Sequence, residues 1–157
     1  MPSPGFGVSS GDHEGVGDMD LIRILGFAYF FLFVFVVALG YIPGVNDASG
    51  KMFGLFELDL YDDSLHLFSG IWAGVAAWIS SRAATLYFKL FGVLYFLDGV
   101  MGLMVGSGYL DFGIFIYGVL DLPLTTRIFA NLPHLGIGGF AIFAGFFLSR
   151  RGRVVAA

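Results

Sequence analysis

Apolar residues gather along this chain in four runs, residues 21–42, 64–80, 84–106 and 129–148, and the stretches between and flanking them hold most of the charges. Within residues 27–40 the one polar side chain is Tyr29. A hydrocarbon core about 30 Å thick is crossed by about 20 apolar residues in a helix, and each run comes close to that length. A lone segment in lipid must satisfy its own backbone hydrogen bonds, so each is predicted to be a helix. The alternation of polar and apolar residues that a barrel strand needs is missing from all four. Residues 109–124 are apolar too, but short, interrupted by Asp111 and Asp121 and ended by Pro123. They are predicted to form an interfacial or re-entrant loop, and the chain an all-α bundle of four transmembrane helices.

Composition agrees with lipid as the solvent. The chain is 57% hydrophobic and 13% charged, with mean hydropathy +0.85, whereas a soluble domain carries about 25% charged residues. There is no cysteine, which excludes disulfides and thiolate chemistry. A net charge of −4 without a basic patch gives no reason to expect nucleic acid. Residues 1–20 are rich in Gly, Ser, Pro and acids and are predicted to be a mobile tail. They contain no Lys or Arg and so do not resemble a signal-peptide start. With four spans, one side collects Arg23, Arg82, Lys89, Arg150, Arg151 and Arg153, the other Lys51 and Arg127. The excess of basic residues places both termini in the cytoplasm. Arg150, Arg151 and Arg153, in the short tail 150–157, also suit anionic lipid.

The chain repeats itself. Asp63-Ser64-Leu65-His66-Leu67 aligns with Asn131-Leu132-Pro133-His134-Leu135 at an offset of 68, with Gly70 and Gly138 four residues beyond each His. Gly26-Phe27-Ala28-Tyr29-Phe30 aligns with Gly92-Val93-Leu94-Tyr95-Phe96 at an offset of 66, and Gly54-Leu55-Phe56-Glu57-Leu58 resembles Gly118-Val119-Leu120-Asp121-Leu122. Two spans per copy insert in the same direction, which predicts two tandem hairpins related by a pseudo-twofold axis along the membrane normal. The pattern of Gly-Leu-Phe-Glu-Leu, an acid or Asn, His-Leu, then Gly, followed by a Gly-x-x-Tyr span, resembles an uncharacterised bacterial family of small four-span membrane proteins catalogued as a domain of unknown function. The resemblance covers about residues 26–150. It implies four helices and the bacterial cytoplasmic membrane, and no established activity.

Few residues could carry chemistry. His66 and His134 sit just inside the outer ends of their runs, with Asp63 and Asn131 at expected N-cap positions. Each His is expected to be an anchor bonded to a loop carbonyl or to a carboxylate such as Glu57 or Asp121. The sharper alternative is a pair of axial ligands for haem or a chlorophyll-type pigment; no metal site is otherwise expected. Asp98 lies inside the third run, where a carboxylate costs about 2.5–3.5 kcal/mol and marks a functional candidate. Its depth places it nearer Gly74 than His66, so no direct Asp–His pair is expected. Gly70 and Gly74 on one run, Gly102 and Gly106 on another, and Gly138 on the last mark helix contacts. The outer acids Asp47, Glu57, Asp59, Asp62 and Asp63 match no EF-hand spacing and are expected to form a solvated surface. No catalytic triad, phosphate loop or dinucleotide fingerprint is present. The leading expectation is therefore a non-enzymatic accessory subunit, embedded in the bilayer against other integral membrane proteins or a second copy. The alternatives are a proton- or ion-linked transporter using Asp98, or a pigment protein using the two histidines.

Overall fold

The computed structural model describes residues 20–48, 52 and 60–149. The N-terminal tail, Glu57 and the basic C-terminal cluster of Arg150, Arg151 and Arg153 lie outside the described residues. The architecture is all-helical: α1 (Leu21–Leu39), α2 (Leu60–Ile79), α3 (Ser81–Val105), the single turn α4 (Gly113–Ile116), and α5 (Leu124–Phe143), which continues as a π-helical turn over Ala144–Leu148. No sheet forms among the described residues, where one isolated bridge joins Asn46 and Met52. Three stretches, Leu21–Leu39, Ser81–Val105 and Leu124–Leu148, are long and apolar enough to cross a membrane.

Local sequence sets most of the helix ends. Asp20 caps α1 by accepting from the Arg23 N–H at 3.2 Å, and Ser80 caps α3 by accepting from Ala83 at 3.1 Å. Since α2 ends at Ile79 and α3 starts at Ser81, Ser80 alone makes the turn between them. Gly106 closes α3 in the left-handed region at φ +84°, its N–H donating to the Gly102 carbonyl. Two starts differ from expectation. Helix α2 begins at Leu60 and α5 at Leu124, the latter directly after Pro123, whose fixed φ and missing N–H suit a helix entrance. Asp63 and Asn131 are thus not N-caps. Asp63 lies in the first turn of α2, where the helix dipole favours a carboxylate. Asn131 lies two turns into α5 and donates to the Arg127 carbonyl at 2.9 Å.

Helices pair where side chains are smallest. On α1 and α2, a Cβ at Gly26 would stand 2.7 Å from the Ala77 Cβ, one at Gly70 3.0 Å from the Phe33 Cβ, and one at Gly74 3.2 Å from the Phe30 ring. On α3 and α5, a Cβ at Gly92 would stand 2.6 Å from the Ile142 nitrogen and one at Gly138 2.5 Å from the Phe96 nitrogen. Gly102 abuts the Asn131 side chain, and Gly106 the Leu120 carbonyl. These glycines are consumed by contacts inside the chain, so they do not form a free docking stripe for another protein. Between the pairs runs an aromatic ladder along α3. Tyr87 stacks on Phe91 at 5.0 Å, Phe91 on Tyr95 at 4.8 Å, and Tyr95 on His134 at 4.3 Å. Tyr29 and Phe33 of α1 meet this ladder edge-on. The outer surface is apolar in turn, with Phe31 65% and Trp78 77% exposed, as a lipid solvent would require.

Helix contact through glycine is directly testable. Gly138→Ala must displace backbone of Phe96 and is expected to cost about 1–3 kcal/mol by overpacking. Gly136 has nothing within 4 Å of a built Cβ, so Gly136→Ala should leave stability unchanged or raise it by up to about 1 kcal/mol. Thermal unfolding midpoints in detergent would check this; equal midpoints for the two variants would reject the packing described.

Candidate functional site

Asp98 sits on α3 seven residues before its end, roughly 10 Å down the helix, and is 2% exposed. Its Oδ1 accepts from the backbone N–H of Tyr109 at 2.6 Å and of Leu110 at 2.8 Å. For those amides to reach it, the chain after Gly106 turns back beside α3, and Tyr109 donates its hydroxyl to the Leu94 carbonyl at 2.7 Å, a full turn below Asp98. Residues 107–118 therefore fold back along α3 as a loop that carries α4. The Ser107 hydroxyl donates to the Gly118 carbonyl, and Leu120 donates to the Val105 carbonyl at 2.9 Å. Gly108 is required at the closest approach, because a Cβ there would stand 2.8 Å from both Asp98 oxygens. Asp111 accepts from Gly113 at 2.8 Å and starts α4.

The other carboxylate oxygen faces α5. Oδ2 of Asp98 lies 3.7 Å from His134 Nε2. This corrects the expectation that no Asp–His pair forms. Because α5 starts at Leu124, His134 is ten residues into it, about 15 Å deep rather than near the end, and Gly99 lets α5 approach with a built Cβ 2.7 Å from the His134 Cβ. His66, 5% exposed, shares a hydrogen bond of 3.1 Å between its Nε2 and the Tyr95 hydroxyl. The two imidazole centroids are 6.3 Å apart. Thus Asp98, His134, Tyr95 and His66 form one buried polar group drawn from α2, α3 and α5. Each His Nδ1 turns toward the carbonyl one helical turn earlier, Asp62 or Ala130, outside normal hydrogen-bond geometry.

This group lines a cavity of about 690 Å³ surrounded by the 107–118 loop, the end of α1 and parts of α2 and α5. Phe33, Tyr95 and Tyr117 supply aromatic wall, and Asp62, Asp98 and Asp111 supply carboxylates. Asn131, 9% exposed, also lines it. Neither Asp63 nor Asp121 joins. The Asp63 carboxylate accepts from the Tyr41 hydroxyl at 3.0 Å, a bond that raises the tyrosine pKa. Asp121 is exposed in the stretch before α5. Glu57 lies outside the described residues. A macrocycle ligated by both histidines does not fit here: the Tyr95 ring is stacked on one imidazole and bonded to the other, and His134 Nε2 faces Asp98. Among the described residues no three His, Asp or Glu side chains converge on a metal-binding point.

Sequence reasoning missed the loop amides, Gly108 and Asp111. Backbone donors carry no sequence signature, though the spacing Gly106-x-Gly108 after an intramembrane Asp was a readable cue for a close return. Comparison with known proteins finds no match among protein-family models, curated proteins or solved structures.

Substitution at Asp98 separates its structural role from its charge. Asp98→Asn keeps an oxygen for both amides and should fold. Asp98→Ala orphans two buried N–H groups, at about 1–3 kcal/mol each. Hydrogen exchange at Tyr109 and Leu110 should stay slow in the Asn variant and become fast in the Ala variant; slow exchange in both would show that the loop is held by something else.

Proposed function

We propose that this chain is a four-span integral membrane protein of two tandem hairpins, α1–α2 and α3–α5, working as a small non-enzymatic proton-linked carrier whose solute site is the Asp98 cavity. For α2 as a span, 20 residues give about 30 Å. Beyond Ser64, its exposed side chains Leu67, Phe68, Ile71, Val75, Trp78 and Ile79 are all apolar, while His66 is turned inward.

Equivalent contacts support the repeat. Gly26 packs against Ala73 and Gly92 against Ala141, while Gly70 meets Phe30 and Gly138 meets Phe96. Arg23 donates to the Ala77 carbonyl at 2.8 Å and the Trp78 carbonyl at 3.3 Å, neutralising the end of the α2 dipole. Its counterpart 66 residues on, Lys89, packs on Gly145 and lies 5.2 Å over the Phe146 ring. The positions contacted are again 68 apart. Membership of the uncharacterised bacterial four-span family is proposed on the residues quoted above. With Arg23, Arg82 and Lys89 toward the cytoplasm, the cavity faces outward.

The observation that carries the carrier reading is the pairing of buried Asp98 with His134 at the wall of that cavity. A carboxylate and an imidazole in contact, taken from the two helices of one hairpin and bridged through Tyr95 to the other, can exchange a proton with a bound solute. Beneath them the rings of Phe91, Tyr87 and Phe88 are fully buried, which closes the inner side as an outward-open carrier requires. The Ser107 hydroxyl is committed to the Gly118 carbonyl, and the Tyr95 hydroxyl is shared with His66. A second reading, an accessory subunit packed against other membrane helices, is favoured by the exposed Phe31, Phe35, Phe68 and Phe147. Native-size analysis of gently extracted protein would support it by a large stable assembly and reject it by migration at monomer mass.

Proteoliposomes holding an entrapped pH dye test the carrier. Wild type should dissipate an imposed pH gradient faster than protein-free vesicles, and Asp98→Asn should return the decay to the protein-free rate. Equal decay for wild type and Asp98→Asn would make the carboxylate purely structural.

A further inference from the structure

The sign and texture of the cavity wall narrow the solute. Asp62, Asp98 and Asp111 are spread over α2, α3 and the 107–118 loop, and no described Lys or Arg lines the space. Asp98 is met by His134 from α5 and by the loop amides of Tyr109 and Leu110, and it shares the cavity with His66 and Asp62 from α2, Tyr95 from its own helix and Asp111 from the loop. The wall that α1 contributes is Phe33, Val36 and Leu39. An anion would meet the carboxylates of Asp98 and Asp111 and no described Lys or Arg in the wall. A bare metal ion would need about six or more oxygen ligands for calcium or magnesium, and here no three acidic or imidazole groups converge. The volume of about 690 Å³ falls within the range of about 300–1,000 Å³ for small-molecule sites. Aromatic rings beside carboxylates attract a cation that also carries apolar substituents.

We propose that the Asp98 cavity binds a lipophilic organic cation, an amine- or onium-type molecule, whose positive centre sits near Asp98 and Asp111 with its substituents against Phe33, Tyr95 and Tyr117. This rests on the reading of the cavity as a solute site. The cation and the proton then compete for the same carboxylates, so solute binding strengthens as pH rises.

Two ions of nearly the same shape and opposite charge test it. Equilibrium dialysis of the full-length protein in neutral detergent is run with tetraphenylphosphonium and with tetraphenylborate. Tetraphenylphosphonium should bind saturably, Asp98→Asn should weaken it by at least about tenfold through loss of a charge-assisted contact, and Asp121→Asn, outside the cavity, should leave it unchanged. Tetraphenylborate should show no saturable binding. Tetraphenylborate bound as well as the cation, or cation binding indifferent to Asp98→Asn, overturns the cation assignment. No saturable binding of tetraphenylphosphonium overturns it too. If Asp98-dependent proton flux persists in those cases, the carrier reading survives with another solute class; if that flux is also absent, both fall.

Discussion

Two backbone N–H groups donating to one oxygen of Asp98 tie the 107–118 loop to α3. An ionised carboxylate taken out of water is costly unless it is paired and hydrogen-bonded, and bonds from amides to a charged oxygen are about twice as strong as neutral ones. The same bonds satisfy donors in a loop that would otherwise be buried without partners. The carboxyl needs the loop, and the loop needs the carboxyl oxygen. Gly108 makes the approach sterically possible, and once the loop is drawn down beside α3 it helps to enclose a cavity that has two histidines and two tyrosines in its wall.

The rest of the bundle keeps that site where it is. Helix α3 runs through the middle and offers a different face to each neighbour. Small residues against α5 give close backbone contact, and Tyr87, Phe91 and Tyr95 form a stiff ladder toward α1 and α2. Tyrosines tie the hairpins across the interface. Tyr29 of α1 donates to the Ile137 carbonyl of α5 at 2.7 Å, and Tyr95 of α3 reaches His66 of α2. Position 98 is where the two halves part company. Leu32, its counterpart in α1 at an offset of 66, is 36% exposed, whereas Asp98 is buried. The neighbouring exchange of Phe33 for Gly99 allows His134 to come within reach of the carboxylate.

Hydropathy was enough to locate α1 and α3 and the apolar part of α5, because a run without charges in lipid has few other ways to satisfy its backbone. It could not find where α2 and α5 begin. Asp62, Asp63, Thr125, Thr126 and Arg127 read as loop by polarity, yet they occupy helical turns that extend the apolar spans. That error in the starting points led directly to the misjudged depth of His134, and so to the missed Asp98–His134 contact. The burial of Asp98 itself was legible, since a carboxyl inside an apolar run has to face protein rather than lipid. Its main partners were not, because they are peptide N–H groups. The glycine positions were readable as contact points, but periodicity alone does not say whether a stripe meets the same chain or another one.

On the proposed topology, the acidic cavity at the Asp98 end of the bundle opens to the outside of the cell. The chain has no cysteine, so a single one can be placed at Ala130, which lines the cavity. Its modification in intact cells would be timed with a cationic and an anionic membrane-impermeant thiosulfonate. The account predicts labelling from outside, with the cationic reagent markedly faster, and a smaller preference when Asp98→Asn is added. Labelling only after permeabilisation, or faster reaction with the anionic reagent, would contradict it.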